Sequence, residues 1–160
     1  MLPALASGDP AGVEGSAALA SAQKPIPVAT EHDQPYWDAL KEHRFVLQHC
    51  TQCGLFSAQP RVVCPRCHTD AHFEWAAPSG RAKIHSYTIV YQTFTPGFDD
   101  EIPYVICHAQ LEEEPTCFVT ANLAVDQADF DKLDIDLPLV IDYDDRGEAT
   151  VPLWRLAEGK

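Results

Sequence analysis

Positive charge is scarce in this chain: 11 Lys and Arg stand against 24 Asp and Glu, for a net charge of -13 over 160 residues. So acidic a protein is poorly made for holding a phosphate backbone, because affinity for nucleic acid comes mainly from Lys and Arg. Long apolar runs are missing too. No segment approaches the roughly 18 apolar residues that span a bilayer. The start of the chain lacks the basic-then-apolar pattern of a secretory signal, since its first basic residue is Lys24 and Pro3, Gly8, Pro10 and Gly12 interrupt it. The compartment this predicts is the cytoplasm, with no membrane partner. Nucleophile-elbow, phosphate-loop, dinucleotide and His-Glu zinc-protease motifs are also lacking, so the sequence offers no active site.

What basic charge there is sits early. Between residues 41 and 83, Lys41, Arg44, Arg61, Arg66, Arg81 and Lys83 face only Glu42, Asp70 and Glu74. Between residues 99 and 148, fifteen acids face Lys132 and Arg146 alone. This asymmetry reads either as a solvated acidic surface or as a basic half turned toward an anionic ligand or partner. Arg61, Arg66, Arg81 and Lys83 could hold the phosphates of a coenzyme A group or meet a partner; scattered surface charge accounts for them equally well.

Residues 1–32 form a tail rich in Ala, Gly, Ser and Pro, with too little bulky side chain to offset the entropy of ordering, so it is expected to be flexible. A short helix is predicted over 33–43. Asp33 is suited to cap it, Pro35 to its first turn, and Tyr36, Trp37 and Leu40 form an apolar side at helical spacing. A strand over 45–49 leads into Cys50-Thr51-Gln52-Cys53-Gly54; ten residues then separate Cys53 from Cys64-Pro65-Arg66-Cys67-His68. Two residues between the cysteines of a pair let one tight turn aim both sulfurs at one ion, and Gly54 supplies permissive backbone. Residues 55–63 are long enough for a strand that returns the chain. Cys50, Cys53, Cys64 and Cys67 together complete a tetrahedral S₄ site with no position left for water or substrate, so the metal is structural. Zn²⁺ is the ion expected; iron suits the same ligands chemically. His49 and His68 flank the ligands and are read as solvent-facing.

Beyond residue 80 the pattern turns to strands, over 81–91, 103–111, 116–124, 139–143 and 150–154. Residues 126–133 form a helical turn with Phe130 and Leu133 inward. The acidic turn Glu112-Glu113-Glu114-Pro115 joins the second and third strands, and Arg146-Gly147 the last two. Five strands with a helical turn between the third and fourth suit a small Greek-key barrel of the OB type. The chain is thus read as mainly β, with a helix and zinc ribbon over 33–76 and a five-stranded OB-fold domain over 77–160. Cys107 lies on one face with Val105, Ala109 and Leu111, and Cys117 with Val119, Ala121 and Leu123, so both thiols are expected in the core. Cys107 and His108 are adjacent in a strand and point to opposite faces, which excludes them as a nucleophile and base. Tyr91, Phe94 and Phe98 surround a Pro96-Gly97 loop, as a contact surface or as a cap on the barrel.

Taken in order, these residues resemble the family of zinc-ribbon OB-fold proteins associated with acyl-CoA enzymes. The resemblance covers 35–156 and rests on Tyr36-Trp37 with Leu40, the two cysteine knuckles, Trp75, Ser79-Gly80, Ser86-Tyr87-Thr88, Pro103-Tyr104 and Thr120-Ala121-Asn122-Leu123. Two features depart from the family pattern: Ala82 stands where a second glycine is common, and 112–115 replaces an acidic turn that ends in glycine. The resemblance implies a rubredoxin-like ribbon beside an OB barrel. It also implies a non-catalytic accessory subunit of a thiolase, or of a thiolase-like aldolase in lipid or aromatic degradation. Such a subunit would stabilise the catalytic chain in a hetero-oligomer and help form its CoA and substrate site, with a CoA thioester at the interface. A stand-alone acyl-CoA-binding protein is the alternative, and a nucleic-acid-binding module a weaker one.

Overall fold

The computed structural model describes residues 23–70 and 72–157. A helix, α1 (Gln34–Lys41), precedes three short strands, β1 (Leu47–Cys50), β2 (Phe56–Ser57) and β3 (Phe73–Ala76), paired antiparallel in the order β2-β1-β3. Five longer strands follow: β4 (Arg81–Val90), β5 (Tyr104–Leu111), β6 (Phe118–Ala124), β7 (Pro138–Arg146) and β8 (Ala149–Leu156), with a 3₁₀ segment, Gln127–Lys132, between β6 and β7. They close a barrel in the order β4-β5-β6-β8-β7, in which β6 and β8 are the parallel pair. This is the OB architecture expected from the sequence.

Period-two alternation builds the barrel wall. Along β5, Val105, Cys107, Ala109 and Leu111 are buried while the residues between them are not. In β4 the register with β5 shifts between Ile84 and Ser86, leaving His85 as a bulge. The extra residue bends β4, which runs along β5 from Ala82 to Val90 while its first residues, Arg81 to Lys83, also pair with β7 on the other edge, closing the sheet on itself. Trp154, fully buried, fills the centre; its indole N–H donates to the Val119 carbonyl at 3.1 Å, and Phe45 meets it edge-on at 6.2 Å. Ala82 is buried too, so its methyl group is accommodated inside the barrel.

Helix α1 is too short to stand alone. Leu40 secures it by joining Phe45, Leu47 and the barrel interior in one continuous apolar core. Its start differs from expectation: the Asp33 carboxylate makes no capping bond to the first-turn amides and instead accepts from Thr30 and from the Trp37 indole at 3.0 Å. The first strand begins at Leu47 rather than at 45, although Phe45 and Val46 are buried. The return expected over 55–63 narrows to the two residues of β2 followed by a loop, and β3 supplies the third strand. Of the tail over 1–32, residues 1–22 lie outside the described residues. Lys24 pairs with Glu101 and sits 5.0 Å from the centre of the Phe98 ring. Among the described residues, no helix is long and apolar enough to cross a membrane.

Candidate functional site

Two knuckles at the tip of the ribbon bring four sulfurs together. In the first, β1 delivers Cys50, and the Gly54 amide closes a turn on the Cys50 carbonyl at 2.8 Å with φ of +74°. In the second, the His68 amide closes the same turn on Cys64 at 2.8 Å with φ of +56°. Both turns need a left-handed residue just after the second cysteine, and only the first uses glycine for it. The four Sγ atoms lie within 4.8 Å of one another, with Cys50–Cys67 at 3.6 Å and Cys53–Cys64 at 3.5 Å. A disulfide needs about 2.05 Å. Four sulfurs about 2.3 Å from a tetrahedral ion lie roughly 3.8 Å apart, so the donors fit a metal and not a pair of disulfides.

The protein already favours ionisation at one corner. Burial opposes charge on Cys64, but the amides of Cys67 and Arg66, with the Cys53 and Cys67 thiols, donate to its sulfur and hold it at about 6. Burial and the neighbouring thiols push Cys67 up to about 12 and raise Cys53. Four thiolates so close together therefore require a cation. His68 is exposed, as expected. His49 is not a solvent-facing residue: it is half-buried on β1, with Nδ1 3.0 Å from Glu74 Oε1 and its ring 4.6 Å from Phe56.

Cys107 and Cys117 are buried in the barrel, and desolvation pushes both thiols up to about 11. Neither is prepared as a nucleophile. His108 points outward, hydrogen-bonded through Nδ1 to Thr120 Oγ1 at 2.7 Å and stacked on Phe118.

Three basic residues of the first half meet acids of the second within the molecule. Arg66 Nη2 donates to both oxygens of Glu114, at 2.9 and 2.8 Å; Arg81 pairs with Glu112 at 2.9 Å and Lys83 with Asp136. Glu113 accepts from the Ser79 amide. The turn 112–115 is thus a strap, its three carboxylates tying the second knuckle, the 77–80 connection and β4 to one hairpin. Glu114 is buried; despite that, bonds from Thr116 and Arg66 hold its carboxyl below the usual carboxylate range. Arg61 differs. Its Nε donates to Ser57 Oγ at 3.1 Å, and it has no carboxylate partner among the described residues. Its backbone is held by Gln48, which accepts from the Arg61 amide at 2.8 Å and donates to its carbonyl at 3.0 Å. Sequence reasoning missed this clamp; its only trace is a polar residue between the inward Leu47 and Cys50. The aromatic loop divides between inside and outside. Phe98 is buried 5.3 Å from Tyr104, whereas Tyr91 and Phe94 are 69% and 90% exposed.

Comparison with known proteins agrees with this architecture. Residues 37–72 match the rubredoxin-like zinc ribbon domain of ChsH2, and residues 75–143 match the ChsH2 C-terminal OB-fold domain. A probable enoyl-CoA hydratase alpha subunit from Thermomonospora curvata is 31% identical over 85% of this chain and 41% of its own length. A DUF35 domain-containing scaffold protein from Methanothermobacter thermautotrophicus is 39% identical over 40% of this chain and 47% of its own. This chain spans about half, or less, of the length of these relatives. Among solved structures, a chain of the Ltp2-ChsH2(DUF35) aldolase superposes with a TM-score of 0.70 at 26% identity, over 81% of this chain and 98% of that one. A DUF35-family protein from Sulfolobus solfataricus shares the fold, with a TM-score of 0.55 at 13% identity over 81% of this chain and 87% of that one. With both domains matched in order over a cysteine tetrad built for metal, the chain belongs to the ChsH2 (DUF35) family of zinc-ribbon and OB-fold proteins.

Proposed function

We propose that this chain is a non-catalytic, zinc-containing accessory subunit of a thiolase-superfamily acyl-CoA enzyme, either a thiolase or a side-chain-cleaving aldolase. In this reading it works in the cytoplasm, stabilises the catalytic subunit and helps form its CoA and substrate site. The observation that carries the reading is the superposition on nearly the whole of one chain of the Ltp2-ChsH2(DUF35) aldolase. The distribution of thiols supports it: four converge on a closed metal site and two lie inside the barrel, so a nucleophile would come from the partner. Zn²⁺ is the ion assigned, since two Cys-x-x-Cys turns converging on one S₄ site suit it. It would be held by Cys50, Cys53, Cys64 and Cys67 and would organise the ribbon without touching substrate.

Tyr91 and Phe94 support a protein contact, because aromatic side chains so exposed on one loop are costly to leave in water. The reading assigns Arg61, Arg66, Arg81 and Lys83 to CoA phosphates or to the partner. Three of them would exchange an internal carboxylate for the new anion. The test is co-expression with a larger thiolase-like protein from the same source. The two chains should co-elute, and the larger should gain solubility or activity. Full activity of the larger chain alone, with no complex on gel filtration, contradicts the reading.

A further inference from the structure

The ribbon and the barrel leave a groove of about 520 Å³ between them, within the size range of small-molecule sites. Its walls carry rings from three separate elements: Tyr36 from α1, Phe56 from β2 and Phe118 from β6. Phe118 is held by two histidines whose rings lie 6.0 Å apart, so they brace it without sandwiching it. His108 stacks on it at 4.9 Å with 10° between planes, His85 packs against it at 4.7 Å, and Thr120 fixes His108. A ring immobilised in this way offers a stacking surface with little entropy left to lose.

Arg61 also lines the groove. Its backbone is fixed by Gln48 and its Nε by Ser57, while Arg66, Arg81 and Lys83 each face a carboxylate. The guanidinium therefore has donors to spare for a planar anion, the ligand its forked geometry matches best. One such cation in a chain of net charge -13 suits a single negative charge, not a polyphosphate. We infer that this groove is a binding site for a small planar aromatic monoanion, an aryl carboxylate, with its ring against the aromatic walls and its carboxylate on Arg61. This inference concerns this chain alone and takes Arg61 for the carboxylate, leaving Arg66, Arg81 and Lys83 to the accessory-subunit reading.

The test is titration of the full zinc-loaded chain with 2-naphthoate, followed by backbone amide NMR, beside the neutral isostere 2-naphthalenemethanol, 3′,5′-ADP and CoA. Naphthoate should shift the amides of Ser57, Ala58, Phe118 and Thr120. It should bind about tenfold tighter than the alcohol, as expected for one charge-assisted contact. Arg61→Gln should remove that advantage while leaving the alcohol's affinity and the metal content unchanged. Phe118→Leu should weaken both compounds several-fold. If Arg61→Gln fails to retain metal, the comparison of acid and alcohol on the unaltered chain decides. No groove shifts at millimolar naphthoate, equal affinity for acid and alcohol, or tighter binding of 3′,5′-ADP or CoA than of naphthoate overturns the inference.

Discussion

A β-carbon at position 80 would lie 2.6 Å from Cγ2 of Ile141, and Gly80 has φ of +73°. Both facts exclude any side chain where the chain enters the barrel, and the Gly80 carbonyl accepts from the Ile141 amide at 2.8 Å. Gly80→Ala should lower stability by about 2 kcal/mol, read as a lower midpoint in urea unfolding with an unchanged slope. Cys64→Ser should have a larger effect at the ribbon, because structural zinc contributes on the order of 10–16 kcal/mol. Metal analysis should find no bound zinc in that variant, and proteolysis should cut the ribbon. The cysteines were legible in the sequence because their signal is local, four at fixed spacing, whereas Gly80 entered only through the family resemblance. Gln48 and His49 were not legible, since their partners Arg61 and Glu74 lie 13 and 25 positions away and nothing in residue type marks them.

The strap 112–115 joins ribbon to barrel, and its central bond is Arg66 to Glu114. Glu114→Gln should cost about 1–2 kcal/mol, a figure that allows for solvent screening at half-exposed Arg66. The pH dependence follows from the sign of the shift. Glu114 ionises more readily folded than unfolded, so its contribution is present above its ordinary value of 4.5 and is lost as pH falls through the lower folded value. Thermal scans through this acid range should show the loss in the native chain and not in Glu114→Gln. The elements themselves were largely readable from period and turn residues. Their ends were harder: β7 and β8 run on to Arg146 and Ala149 around the Gly147 turn, longer than their apolar centres suggest. β3 was not anticipated, for Phe73–Ala76 is too short to show a period and forms only because β1 offers it an edge. The 77–80 link was seen as a motif, but its hold on Glu113 depends on a contact 34 positions away.

Across the whole molecule, the separation of charge along the sequence is partly cancelled by folding. The barrel half keeps an acidic surface, and the knuckle arginine and the β4 cations are matched to it internally. The base of the ribbon joins the barrel's apolar core through Leu47, beside Leu40 and Phe45, while Cys50, Leu55 and Cys64 form a separate cluster at its tip. A body with a cysteine tetrad placed for a metal, an exposed aromatic loop and no prepared thiol nucleophile among the described residues is suited to holding another protein in shape. The central claim is therefore about partnership, and native mass spectrometry of the chain co-expressed with a thiolase-like protein from the same source tests it most directly. The expected result is a hetero-oligomer with one zinc per copy of this chain and acyl-CoA turnover that depends on the larger subunit's own nucleophile. Separate chains with undiminished turnover by the larger one, or turnover by this chain alone, would contradict it.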